Sequence, residues 1–345
     1  MLLAPVLSRS APATVPLGLP ALPVKSTSGE ALAQIGRQLF SDVRLSADGT
    51  ISCASCHKPE QYFTDRRVRA IGIAGQSGTR NTPSLLNVVY SSTLFWDGRE
   101  TTLESQARRP LMNPREHGLE SESAILDRVN AITGYRKLFA RQLNRGLLTI
   151  DDVMAAIASY ERTLLSGNSS FDRFLYGGDQ RAMSKSASRG LILFRDRAHC
   201  DNCHTIGPES ALLTDNQFHS APLGLSTAAN TALIELTQRV VDLRQREEPN
   251  EINQLVGRED DIAALGRFVV TLNPNDIGLF KTPSLRNVAL TGPYFHDGRI
   301  DTLREAVDVE LYSRGDAVRY PIVMTEQEKA DLIEFLSALS SPLTP

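Results

Sequence analysis

The sequence predicts an all-α protein made of two related domains, and three observations predict it. Apolar residues recur at helical steps: Ile150, Val153, Ile157, Tyr160 and Leu164 follow Thr149, and Leu332, Leu336 and Leu339 follow a Thr325/Glu328 capping-box pair. The four cysteines all fall in two Cys-x-x-Cys-His motifs, Cys53 to His57 and Cys200 to His204. Segments of the first half also return in the second at a constant spacing of 200 residues, which is the signature of a duplicated unit.

The motifs carry the chemistry. Zinc wants four thiolate or imidazole ligands converging within one small module, whereas these motifs lie 147 residues apart, Cys53 to Cys200, and each has its own histidine. A redox dithiol accounts for one Cys-x-x-Cys but not for a histidine after both. Covalent attachment of c-type haem accounts for all six residues. Each thiol pair adds across the haem vinyl groups, and the adjoining histidine reaches the iron as proximal ligand. Cys53, Cys56 and His57 therefore hold one haem c, and Cys200, Cys203 and His204 the other. The fold class becomes two cytochrome c-like domains with one covalently bound haem each.

At 345 residues the chain has room for two cores. With 41% hydrophobic and 22% charged residues its composition is that of an ordinary globular protein. A net charge of -3 argues against a nucleic-acid partner, and no apolar run approaches the roughly 20 residues needed to span a membrane. Haem attachment of this type resembles the bacterial cytochrome c pathway, which works outside the cytoplasm, so the expected location is periplasmic. Met1 to Pro23 is apolar and proline-rich but lacks the basic start and uninterrupted core of a clear export signal.

The repeat pairs Thr82-Pro83-Ser84-Leu85-Leu86-Asn87-Val88 with Thr282-Pro283-Ser284-Leu285-Arg286-Asn287-Val288. It also pairs Phe95-Trp96-Asp97-Gly98-Arg99 with Phe295-His296-Asp297-Gly298-Arg299. The haem motifs are offset by only 147, so the second half holds about 53 extra residues between motif and repeat. Much of that excess is the polar stretch 220–276, which reads as a surface insertion with a helix over Ala232 to Arg246 and a solvated charge run over Gln245 to Glu251. The two periodic segments are the expected closing helices of the domains. Gly167 to Ser188, rich in glycine and serine, reads as a linker with some local helix. The expected domains are 24–166 and 167–345.

Together these motifs resemble the bacterial di-haem cytochrome c peroxidases and the MauG-type di-haem oxidases. The likeness covers roughly Ile35 to Leu339, and it includes Asn113-Pro114-Arg115-Glu116 and Pro293-Tyr294-Phe295-His296-Asp297-Gly298-Arg299. In that family the N-terminal haem is the site of peroxide chemistry and the C-terminal haem receives or stores electrons. The resemblance makes Glu116 the distal acid-base group, where a residue of this type would otherwise be a solvated loop glutamate. It makes Gln106 and Pro110 further distal-pocket residues and Trp96 the indole that couples the haems. Asn81, Thr291 and Pro293 correspond to positions that help hold a calcium ion between the domains. His117, next to Glu116, reads as an exposed turn residue.

Two departures from the family pattern bear on the subtype. The reductively activated peroxidases carry a removable histidine ligand within Gly-His-Gly, and this chain has Gly72-Ile73-Ala74 there. Ile73 cannot bind iron, so the N-terminal haem is expected to be open without prior reduction of its partner. The far ligand of the C-terminal haem is methionine in those peroxidases and tyrosine in the MauG type, and the equivalent position here is Glu310. Tyr312, in a tyrosine segment shifted by two residues, is the first choice, with Glu310 second and Met324 third. His219, in an expected loop, and His296, inside the repeat motif, are weaker candidates.

The resemblance implies reduction of hydrogen peroxide with electrons from a small cytochrome c or a cupredoxin, and homodimers are common among such relatives. One rival reading is a MauG-like oxidase of tryptophan or tyrosine on a partner protein. Ala198 stands against it, because MauG carries there the surface tryptophan through which it oxidises its substrate. The other rival is a di-haem electron carrier without catalysis.

Overall fold

A computed structural model describes residues 15–23, 29–144, 147–220, 230–246, 249–313 and 321–343. Residues 1–14 of the apolar N-terminal stretch, 221–229 of the polar insertion, part of its charge run, and Arg314 and Gly315 of the tyrosine segment lie outside them. The all-α expectation holds, with one addition among the described residues. A short sheet pairs β1, Phe218–Ser220, antiparallel to β2, Leu279–Lys281, with His219 opposite Phe280.

Each half is organised by a close crossing of its closing helix with an earlier one. In the first half the helix Glu30–Phe40 packs on Ile150–Glu161, and in the second Lys185–Arg195 packs on Glu326–Ala338. Glycine makes both crossings possible. A Cβ on Gly36 would lie 1.8 Å from the Ala156 carbonyl oxygen, and one on Gly190 would lie 1.9 Å from that of Asp331. Tyr160 and Phe335 sit one turn further along, against the same two glycines.

Both closing helices start where their capping residues place them. Thr149 accepts from the Asp152 amide while the Asp152 side chain reaches back, and Thr325 and Glu328 do the same. The first ends at Glu161 rather than at Leu164. The periodicity outruns the helix because the Leu164 carbonyl accepts the Asn87 amide at 2.7 Å, turning the chain toward the first repeat segment. Leu339 accepts from Asn287 at 3.2 Å in the same way.

Ile35, Leu39, Leu111, Ile125, Phe139 and Met154 form one core. Phe171, Phe194, Leu213, Leu311, Leu332 and Phe335 form another, and Phe335 meets both Phe171 and Phe194 edge-on. The segment read as a linker contributes to that second core. Ser169 caps the helix Ser170–Leu175, which buries Phe171 and Asp172. Asp172 pairs at both oxygens, each 2.9 Å, with the buried Arg286 guanidinium, which also donates to the carbonyls of Ala211 and Gly18. A glycine- and serine-rich stretch looks like a linker because its one fully buried phenylalanine and one buried carboxylate carry no periodicity.

The polar insertion is likewise more than a surface feature. Its helices Asn230–Gln245, Pro249–Arg258 and Asp260–Ala264 enclose their own core of Val240, Leu243, Ile252, Val256, Ile262 and Phe268. They also pack on the first half: Thr79 Oγ1 donates to the Val256 carbonyl at 2.7 Å, Arg80 donates to the Ala263 carbonyl, and Arg69 pairs with Asp260 at 2.7 Å. The charge run ends inside the second of these helices.

The two halves exchange reciprocal backbone bonds. The Asn81 amide donates to the His296 carbonyl at 2.9 Å, and the Lys281 amide to the Trp96 carbonyl at 2.8 Å. Donors and acceptors are both related by the 200-residue repeat, so the duplicated motifs meet as a pair.

Candidate active site and haem centres

The two haem motifs are built alike. Ser52 and Ser55 form a capping box that winds Cys53–Cys56 into one helical turn, and the His57 amide closes it on the Cys53 carbonyl at 2.8 Å. Cys200–Asn202 makes a tighter turn, closed by the His204 amide on Cys200 at 2.9 Å. Each histidine then donates its Nδ1 hydrogen to a carbonyl beyond the motif: His57 to Phe63 and His204 to Leu213, both at 3.0 Å. A carbonyl can only accept, so this fixes the tautomer and leaves each Nε2 lone pair for a metal. Phe63 and Leu213 share an unusual backbone, with φ of 58° and 56°, a left-handed conformation that apolar residues seldom adopt.

These residues fit haem c. The four thiols are half-buried, and burial pushes both thiols of the first motif up, that of Cys56 to about 12. Burial also lowers the basicity of His57, keeping its ring neutral for ligation. Arg80 stands between the halves, near Asp97 and the Phe280 ring. Its Nε and Nη1 are buried with no protein partner, a donor set that suits a haem propionate.

On the distal side, Pro110 interrupts the hydrogen bonding of the helix Leu103–Met112 near its end. Its carbonyl gathers the amides of Asn113 and His117, each at 3.2 Å, and His117 Nδ1. The tight loop this makes holds Glu116 half-buried, and its Oε1 accepts from Asn113 Nδ2 at 2.6 Å. Desolvation raises the Glu116 carboxyl above its usual range, while Arg99 and the Asn113 amide oppose that rise. Glu116 lines a cavity with Phe95, Arg99, Pro110, Met112 and Asn113. Asn253 and Gln254 of the inserted segment complete the wall. Gln106, one turn before Pro110, is half-buried and does not line the cavity.

Ile73 docks on this loop. Its amide donates to the Glu116 carbonyl at 2.9 Å, and its side chain fills the space a Cβ on Gly118 would need. His117 differs from the sequence expectation: it is buried, its Nε2 has no hydrogen-bond partner, and burial lowers its pKa to about 4. A neutral histidine can be packed inside this loop because Pro110 supplies the acceptor for Nδ1.

Trp96 Nε1 donates to the Asn81 carbonyl at 3.0 Å, so the indole is fixed to the residue whose amide bonds to His296 in the other half. His296 is stacked on Phe280, centroids 3.7 Å apart, with its Nδ1 buried and without a partner. Thr291 and Pro293 lie on the turn just before it. His219 is on β1 rather than in a loop, and its Nε2 bonds to Asp215 at 2.7 Å. Their ligating atoms cluster within 4.8 Å of Cys203, whose sulfur belongs to the haem motif. Tyr312 ends the helix Leu303–Ser313, 43% exposed, with the Lys329 ammonium 4.8 Å from its ring centroid. Glu310 is half-buried on the same helix, and Met324 lies in the core beside Leu213 and Leu311. Ala198 is fully buried.

Residues 30–180 match the family described as di-haem cytochrome c peroxidase. The chain is 35% identical over 343 residues to the cytochrome-c peroxidase IdrP1 of Denitromonas iodatirespirans, covering 94% of this chain and 86% of that one. It is 32% identical over 315 residues to the methylamine utilization protein MauG of Methylorubrum extorquens, covering 89% and 77%. The chain belongs to the di-haem cytochrome c peroxidase family. Among solved structures, a MauG-like protein associated with microbial copper homeostasis superposes with a TM-score of 0.77 at 30% identity, covering 96% of each chain. The protein is thus an oxidoreductase of this family, largely helical, with two cysteine pairs consistent with two c-haems. Peroxidases and MauG proteins match it at similar identity. No helix among the described residues is long and apolar enough to cross a membrane.

One buried carboxyl of this di-haem peroxidase family member has no motif to announce it. Glu161, at the end of the first closing helix, is buried with Oε2 unpartnered, and desolvation raises its pKa to about 8 from an ordinary 4.5. Between those values the unfolded chain releases the proton and the folded chain keeps it, so this group costs stability as pH rises from 4.5 to 8. Glu161→Gln should therefore gain about 2–4 kcal/mol over the parent by pH 8, and nothing near pH 4.5. Urea unfolding of the haem-loaded proteins across that window checks it; a gap that does not change with pH refutes it.

Proposed function

We propose that this protein reduces hydrogen peroxide to water with two electrons from a small cytochrome c or a cupredoxin. Domain 24–166 would hold the peroxidatic haem c and domain 167–345 the electron-transfer haem c. A periplasmic site is the natural setting, because thioether-linked haem is made outside the cytoplasm. The observation that carries the reading is the half-buried Glu116, held by Asn113 at the wall of a cavity and near enough to Cys56 of the first haem motif to raise its thiol.

When bound, the haem supplies an iron centre able to pass electrons to peroxide. The protein's own part is proton handling and positioning. Glu116 takes the proton from one peroxide oxygen and delivers it to the other, so that the leaving oxygen departs as water. Desolvation raises its pKa, which makes the carboxylate a stronger base toward the peroxide proton. Pro110 and Phe95 narrow the cavity, Gln106 lies one turn behind Pro110, and Arg99 offsets negative charge on the carboxylate. Ile73, bonded to the Glu116 loop, supports an open site, since no side chain there can occupy the iron. Trp96, through Asn81 and His296, offers a bonded route from one half to the other.

Tyr312 is the proposed far ligand of the second haem. A tyrosine ligand there would stabilise ferric iron. Calcium is proposed between the halves at Asn81, Thr291 and Pro293. The Asn81–His296 bond brings Asn81 beside that turn, and amide and carbonyl oxygens suit this ion.

A second reading is a MauG-like oxidase of a partner protein, favoured by Ile73 in place of the removable histidine. The burial of Ala198 weighs against it, since no aromatic group stands there to pass oxidising equivalents to the surface.

Glu116→Gln is expected to keep both haems while donor-coupled peroxide turnover falls by about 100-fold or more; near-parental turnover removes the acid-base role. Tyr312→Phe should alter the low-spin spectrum of the oxidised protein, and an unchanged spectrum transfers the ligand role to Glu310 or Met324. Removing calcium with a chelator should slow electron transfer between the haems. Equal interhaem rates with and without the chelator exclude the bridging ion.

A further inference from the structure

We propose that the helix Pro249–Arg258 of the inserted segment positions Glu116 through Asn113, and that the missing side chain of Gly257 is what allows it. The inference rests on the acid-base reading of Glu116 and adds a residue far away in sequence to it.

Glycine inside a helix is less favourable than alanine by about 1 kcal/mol, and Gly257 has no positive φ that would require it. The requirement is space. A Cβ on Gly257 would lie 2.6 Å from Asn113 Nδ2 and 3.2 Å from its Cγ and Oδ1. The Asn113 carboxamide has nowhere to retreat without losing a bond, because Oδ1 accepts the Arg115 amide at 3.0 Å while Nδ2 donates to Glu116 Oε1 at 2.6 Å. The bare backbone at Gly257 thus backs the amide against the catalytic carboxyl.

The helix is fixed where it needs to be. Thr79 Oγ1 bonds to the carbonyl of Val256, the residue before Gly257. Asn253, four residues earlier and so on the same face, lines the Glu116 cavity. The charged groups around that cavity are Arg99, Arg109 and Glu120, with the neutral ring of His117 adjoining Glu116. Of these surroundings, Asn113 donates a hydrogen bond to the carboxylate, and that bond favours the ionised form. A displaced Asn113 leaves desolvation less opposed.

The test compares Gly257→Ala, Asn113→Ala and the double variant as haem-loaded proteins. The readout is the protonated-carboxyl infrared band of Glu116, assigned by its loss in Glu116→Gln and titrated against pH. Both single variants should raise the midpoint by about one pH unit, and the double variant should go no further. A Gly257→Ala protein that titrates like the parent, or a double variant whose shifts add, overturns the proposal. Should Gly257→Ala fail to fold, Thr79→Val releases the same helix at the neighbouring residue and should raise the midpoint in the same direction; an unchanged midpoint there also overturns it. If Glu116→Gln retains peroxide turnover, the acid-base reading fails by itself, whatever the band does.

Discussion

The architecture depends on two helix crossings that only glycine permits. At Gly36 and at Gly190 an earlier helix of each half lies against the carbonyl backbone of the closing one, closer than any side chain would allow. Just past its end, each closing helix hands a carbonyl, from Leu164 or Leu339, to the asparagine of the repeat segment, Asn87 or Asn287. The repeat segments and the haem turns are then held against the same cores, so attachment cysteines, proximal histidines and the loops beyond them share one frame in each half.

Duplication explains how the halves face each other. Asn81 bonds to His296 and Lys281 to Trp96, which places Trp96 and His296, equivalent positions of the repeat, on the two sides of one junction. Their surroundings have diverged. Trp96 donates its indole hydrogen to a backbone carbonyl, whereas His296 is stacked on Phe280 with a buried nitrogen left over. An arrangement symmetric in backbone and asymmetric in side chains suits the different tasks proposed for the two centres.

Burial, more than charge pairing, sets the chemistry of the distal pocket. Glu116, His117 and Glu161 are all pushed toward their neutral forms by loss of water. Only Glu116 combines that with a cavity and a hydrogen-bond donor aimed at its carboxylate. The inserted helices matter here because they close the cavity from a side that the haem-domain framework leaves uncovered.

What the sequence by itself determined was local: the two Cys-x-x-Cys-His motifs, the capped starts of both closing helices, the repeat, and the short Asn-Pro-Arg-Glu motif that singles out Glu116. In each case a few neighbouring residues carry the physics, as thiol and imidazole spacing or as reciprocal capping bonds. Tertiary structure decided what depends on distant partners. The carbonyls of Phe63 and Leu213 orient the proximal histidines from outside the motifs, and Asp172 becomes a core residue because Arg286 reaches it. His117 is buried rather than exposed because the Pro110 carbonyl turns inward, and Gly257 meets Asn113 across 144 residues of chain. Burial and close approach are properties of the packed chain, and no pattern of neighbours in the sequence encodes them.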